Sequence, residues 1–184
     1  MINSSAFGPF DPLQPVPIAG LFAENLVAEA IEIESSLETV WQTMTGFDRY
    51  PEWNPLNRFF KLDGEAKANE RVTFGPHWGP YDLADNATLP EAGFIQRETI
   101  TVWEENCCLA YGVISKLFNA ERSQVISKLE NGNTRYQTFE RISGLLSPLM
   151  KLFYGNKILN GFRANGLALK KRCEKLHTLD ETSR

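Results

Sequence analysis

The spacing of apolar residues changes period several times along this chain, and each change marks an element. Residues 26–33 are dense in apolar side chains without helical spacing and predict a strand. Ser35 stands three residues before Glu38, the capping-box spacing that satisfies free amides at a helix start. Leu37, Val40, Trp41 and Met44 then recur at i, i+3, i+4 and i+7, one apolar face of a short helix. Gly46 supplies its stop. Tyr50-Pro51-Glu52-Trp53-Asn54-Pro55 predicts a tight aromatic turn, followed by a strand over residues 57–62.

The middle of the chain reads as strand and turn. Strands are expected over 70–74, 94–103, 107–115, 120–130 and 133–143, with a turn at Asn106. Asn131-Gly132 joins the last two and is a strong hairpin signal. Residues 77–93, with Pro80, Pro90 and two glycines, predict a long loop. Short connections between successive strands imply antiparallel pairing. From 147 to 177 the pattern becomes helical, with Pro148 in the first turn. An inward stripe can be drawn through Leu152, Gly155, Leu159, Phe162, Gly166, Leu169, Cys173 and Leu176. Lys151, Lys157, Arg163, Lys170, Lys171 and Lys175 take much of the remaining surface, which reads as a solvated face. Gly155, Gly161 and Gly166 each cost about 1 kcal/mol relative to alanine inside a helix. They serve close packing against the sheet or a kink near Gly155, or else they leave interior room for another molecule.

One domain is expected over 25–177. A proline-rich arm over 1–24 (Pro9, Pro12, Pro15 and Pro17 among six large apolar residues) precedes it, and a polar tail over 178–184 follows. The arm could dock on the body, close a cavity mouth or reach a second copy, so a homodimer stays open. The 184 residues carry a net charge of -4, which argues against a nucleic-acid partner. No apolar run is long enough to span a bilayer, and the start lacks a basic segment followed by an apolar core. Cys107 and Cys108 are adjacent and Cys173 stands alone, which suits a reducing cytoplasm, the expected location.

Two histidines, His77 and His177, are too few for a multi-histidine metal site. No nucleophile elbow, phosphate-binding glycine loop or dinucleotide fingerprint is present, and no metal or cofactor is expected. On the strands, Glu98, Tyr111, Arg122, Tyr136 and Glu140 are polar groups that could meet the polar end of a ligand. Alternation sets Glu98, Ile100 and Val102 against Thr99, Thr101 and Trp103, and does not say which set faces inward. Arg122 and Glu140 could pair across adjacent strands. Tyr50 and Trp53 read mainly as a brace between helix and sheet. Trp78, Tyr81, Phe153 and Tyr154 read as mouth or lining residues.

The order of elements resembles the START/Bet v 1-like (SRPBCC) superfamily, in particular its polyketide cyclase/dehydrase and lipid-transport branch. Ile33, Ser35-Ser36, Val40-Trp41, Phe47, Tyr50 and Trp53-Asn54-Pro55 carry that resemblance. So do Leu117-Phe118, Glu121-Arg122, Gly132-Asn133-Thr134, Phe139-Glu140, Ser143-Gly144-Leu145-Leu146 and Ala168-Leu169-Lys170. It covers about residues 25–177; the proline-rich arm and the 77–93 loop depart from it.

The resemblance implies an α+β helix-grip fold, a curved antiparallel sheet wrapped around the long helix with an apolar cavity between them. It implies a small hydrophobic ligand (lipid, polyketide or aromatic metabolite), held by a carrier or sensor. The alternative is a cofactor-free cyclase, dehydratase or isomerase of the polyketide cyclase/aromatase kind, working in the same cavity. A third reading is an interaction domain with a filled core. Ligand contacts are expected from Trp53, Trp78, Tyr81, Glu98, Tyr111, Arg122, Tyr136, Phe153 and Phe162; Glu98, Arg122 and His77 are the candidates for proton transfer.

Overall fold

Period-2 alternation through the middle of the chain builds a sheet, and the helical pattern at its end builds the rod that the sheet grips. The computed structural model describes residues 22–84, 88–89, 91–115 and 117–182, with side chains described to residue 179. Nearly all of the expected proline-rich arm lies outside the described residues. The elements run β1 (Glu24–Val27), β2 (Ile31–Ile33), α1 (Leu37–Thr45), a 3-10 turn (Phe47–Arg49), α2 (Tyr50–Trp53), β3 (Asn57–Leu62) and β4 (Arg71–Pro76). β5 (Gln96–Glu104), β6 (Cys108–Ile114), β7 (Asn119–Lys128), β8 (Thr134–Ser143) and α3 (Ser147–Thr182) follow.

All pairings in the sheet are antiparallel, in the order β1-β8-β7-β6-β5-β4-β3, with β2 also on β8. The expected order of elements is therefore present: a curved sheet around a long C-terminal helix, with short helices after the first strands. The expected first strand is two strands. β1 and β2 pair with successive stretches of β8 across a break at residues 28–30, where the chain leaves the ladder. The cap also moves by one residue: Ser36, extended at φ -65° and ψ 152°, accepts from the Thr39 amide at 3.1 Å, while Ser35 is buried. Gly132, at φ +89°, makes the predicted hairpin between β7 and β8, a conformation side chains avoid.

α3 is one continuous helix and extends beyond the predicted end to Thr182. Its glycines answer the question left open by the sequence. A Cβ at Gly161 would fall 2.9 Å from Leu56 Cδ1 and from Tyr81 Oη; one at Gly166 would fall 3.3 Å from Ile31 and Tyr136. These are packing contacts, so the space at both glycines is already filled. The stripe holds from Phe162 through Leu169 to Cys173, all buried, but its first member does not: Leu152 is 75% exposed, while Leu159 is half-buried against the same cluster as the fully inward Ile158. The basic face of α3 is also less free than its pattern suggests. Lys151 pairs with Glu24, Arg163 with Glu29, and Arg172 with Glu52, while Lys171 donates to the Leu83 carbonyl.

The core lies between α1, α2, α3 and the inner face of the sheet. Phe47, Tyr50, Trp53 and Phe60 form a chain of edge and tilted ring contacts with centroids 4.4–5.9 Å apart, a favoured geometry for aromatic pairs. The Tyr50 hydroxyl donates to the Met44 carbonyl at 2.6 Å. A smaller apolar cluster, centred on Cys108, Ala110, Val125 and Phe139, belongs to strand positions of the opposite parity. Beside it in register, Glu121 and Arg141 form an ion pair whose side chains are each 2% exposed.

Candidate functional site

A break in alternation decides what lines the interior. β5 and β6 slip register between Ile100 and Val102, so the strand carries an extra residue there. Gln96, Glu98 and Ile100 face inward before this bulge. After it Trp103 packs on the main core and Val102 joins the opposite cluster. Tyr111 on β6, Arg122 on β7 and Glu140 on β8 follow in adjacent register, all pointing to the same side.

These side chains meet in a cavity of about 410 Å³ between the sheet and the first half of α3, within the usual size of a small-molecule site. Its apolar wall includes Leu56, Phe74, Phe118, Ile158 and Phe162, and Trp78 reaches it from the 77–93 loop. Phe94, Val113 and Tyr154 both line the cavity and remain 47%, 37% and 45% exposed, so they mark its open end. Leu149, Leu152 and Phe153 add further exposed apolar surface on the adjoining turns of α3.

The polar end is organised around Arg122. Its Nε donates to Thr138 Oγ1 at 3.2 Å and its Nη1 to Tyr111 Oη at 3.1 Å. Its Nη2 donates to Asn165 Oδ1 at 2.6 Å and to Gln124 Oε1 at 3.4 Å, and the guanidinium lies 4.5 Å from the centre of the Phe162 ring. Burial alone would depress the charge on Arg122; the surrounding tyrosine oxygens act the other way, and the net direction is upward. Asn57 Nδ2 donates to Tyr111 Oη at 3.1 Å, and Asn54 Oδ1 accepts from the Leu56 and Asn57 amides. The Trp53-Asn54-Pro55 turn thus aims Asn57 at the Tyr111–Arg122 pair.

Two carboxyls complete the site. Burial pushes Glu98 up to about 8, and the charge of Glu140 pushes the same way; Arg122 and a 2.6 Å hydrogen bond from Gln96 pull it back. Glu140 rises to about 7 through burial, with Arg122 opposing. Two carboxyls near neutrality in an apolar cavity can exchange a proton with a bound molecule without a metal or cofactor. Among the described residues no group of three metal-ligating side chains comes together.

Five of the nine expected contact residues, Trp78, Glu98, Tyr111, Arg122 and Phe162, converge on the cavity. The other four lie outside its lining. Trp53 is in the aromatic core, Tyr81 packs over Gly161, and Phe153 is 65% exposed. Tyr136 is buried behind Arg122, donating to Gln124 at 3.1 Å. His77 is half-buried outside the lining, with its backbone bonded to Leu56 and Tyr81. Sequence reasoning passed over Asn57, Gln96 and Asn165. Asn165 left a usable signal, since a polar residue between Phe162 and Leu169 interrupts the apolar stripe of α3. Gln96 and Asn57 left none, because a strand residue shows its facing only once the bulges are known.

Searches against protein-family models and against curated proteins return no match. Solved structures do match. A START superfamily protein from Mycobacterium smegmatis is 17% identical with a TM-score of 0.57, covering 84% of this chain and 98% of its own. The major latex-like protein 151 of Panax ginseng is 14% identical with a TM-score of 0.63, covering 84% and 99%. The Zhui aromatase/cyclase of Streptomyces sp. R1128 is 9% identical with a TM-score of 0.56, covering 83% and 94%. At these identities the likeness establishes a common fold, the helix-grip fold of START and Bet v 1-like proteins. No helix among the described residues is long and apolar enough to cross a membrane.

Proposed function

We propose that this protein binds a small hydrophobic molecule in the cavity between sheet and α3, as a carrier or sensor. The observation that carries this reading is the convergence of an apolar wall with a few placed polar groups, Arg122, Glu98 and Glu140. A filled-core interaction domain needs no such space. The exposed apolar side chains at the open end support it further, because an apolar ligand entering there meets apolar surface throughout. Native mass spectrometry of the protein purified from its own host tests the reading. A retained small molecule, displaced when the cavity is narrowed by Ala120→Leu, is the expected result. A protein that carries nothing and binds no apolar probe would overturn it.

A second reading rests on the two carboxyls. With Glu98 near 8 and Glu140 near 7, one holds a proton at neutral pH while the other can accept one, a pairing suited to acid–base catalysis. The fold shared with an aromatase/cyclase supports a cofactor-free cyclisation, dehydration or isomerisation. In an enzyme, Glu98→Gln lowers turnover more than binding; in a carrier the ligand leaves unchanged.

A further inference from the structure

The polar end of the cavity offers acceptors rather than donors. Arg122 is its cation, and a guanidinium has five N–H groups. Thr138, Tyr111, Gln124 and Asn165 accept four hydrogen bonds from it, all within the protein. An anionic ligand would therefore find the guanidinium already engaged. The carboxyls are in the opposite condition. Glu98 receives one hydrogen bond, from Gln96, which also lines the cavity, and Glu140 makes none among the described residues. Their strands are separated by β6 and β7, yet the curved sheet brings both to one wall, close enough for the charge on one to be felt at the other.

We propose, on the basis of the ligand-binding reading above, that the ligand is an apolar, drug-sized amine whose protonated nitrogen sits between Glu98 and Glu140. Among the lining residues the charged groups are Arg122, Glu98 and Glu140, and the remaining titratable ones are Tyr111 and Tyr154. With both carboxyls ionised and Arg122 charged, the site carries one negative charge more than positive. An ammonium cancels that excess, a neutral ligand leaves it, and a carboxylate adds to it. The rest of the cavity suits the apolar body of such a ligand: Trp78, Phe94 and Tyr154 present aromatic surface to it. Ammonium binding favours the ionised carboxyls, so it releases protons, and affinity rises with pH from 6 towards 8 as Glu140 and then Glu98 ionise.

Isothermal titration with three matched probes, naphthylethylamine, naphthylethanol and naphthylacetate, tests this on the full chain. At pH 8 the amine should bind about tenfold or more tightly than the alcohol, and the acid should bind most weakly. The preference for the amine should shrink at pH 6. It should also shrink in Glu98→Gln and Glu140→Gln, whose fold is checked by circular dichroism. Titration in two buffers of different ionisation enthalpy should show proton release with the amine alone. Equal binding of alcohol and amine, or a preference for the acid, overturns the amine assignment and leaves the cavity reading standing. Failure of all three probes to bind overturns both.

Discussion

Arg122 and Glu140 stand directly opposite one another on β7 and β8, and they do not hydrogen-bond. The guanidinium turns instead to Asn165 on α3, 2.6 Å away, and to Tyr111, so it ties three strands to the helix. The carboxyl opposite it is left facing the cavity. This arrangement makes the Arg122 network a structural strut and the two glutamates the chemically available groups.

Removing the strut should be expensive. Arg122→Met removes one donor each from the Thr138, Tyr111, Gln124 and Asn165 oxygens and withdraws the charge that holds Glu98 and Glu140 down. A loss of about 1–3 kcal/mol in urea unfolding is expected, as for buried groups that lose a charge-assisted hydrogen bond. A loss under about 1 kcal/mol would show that the network is dispensable.

Stability should fall as pH rises. A carboxyl whose folded value lies above its unfolded value of about 4.3 contributes fully below the unfolded value, and that contribution is lost as pH climbs through the folded one. Glu98, near 8, and Glu140, near 7, set the window at roughly pH 5–8. Glu98→Gln should therefore melt with the parent at pH 5 and about 2–4 °C or more above it at pH 8.5. Coincident melting curves at both pH values would refute the raised carboxyl.

The two ends of α3 should respond differently to truncation. Leu169 is fully buried against the core and Leu169→Ala should cost about 2–5 kcal/mol. Leu152 is 75% exposed, and Leu152→Ala should change unfolding by no more than about 0.5 kcal/mol. Comparable losses at both sites would mean that the start of α3 is covered in solution.

Gly166→Ala probes the same packing without removing a side chain. Its new methyl would press on Ile31 and the Tyr136 ring at 3.3 Å, which both must yield. Overpacking of about 1–3 kcal/mol should outweigh the helix propensity gained. A stabilised variant would show free room beside the helix.

Asn54→Ala separates the aromatic brace from the site it serves. The substitution removes the acceptor of the Leu56 and Asn57 amides, at a cost of about 1–2 kcal/mol by analogy with helix caps. Because Asn57 then no longer holds the Tyr111 hydroxyl in place, probe affinity should drop as well. Unchanged affinity in a folded variant would remove the turn from any part in the site.

Several features were legible because they are local. The i, i+3, i+4, i+7 spacing of Leu37, Val40, Trp41 and Met44 sets the buried face of α1 whatever the helix packs against. Asn131-Gly132 makes its hairpin from its own backbone preferences. The capping residue was misplaced by one because Ser35 and Ser36 are both competent, and only the entry angle of the chain selects Ser36. Leu152 was placed on the inward stripe because it is apolar and correctly spaced, yet it is 75% exposed.

The amino-acid order by itself determined the succession of elements, the hairpins and most of the core, since each follows from periodicity and backbone preference within a few residues. Tertiary structure decided the site. The β5 bulge settles which residues face inward, and sheet curvature brings Glu98 and Glu140 together from strands with two others between them. α3 then delivers Asn165 to Arg122, leaving the two carboxyls without a cation bound to them. None of these relationships is local, because each depends on how far the whole sheet bends before the helix fills it.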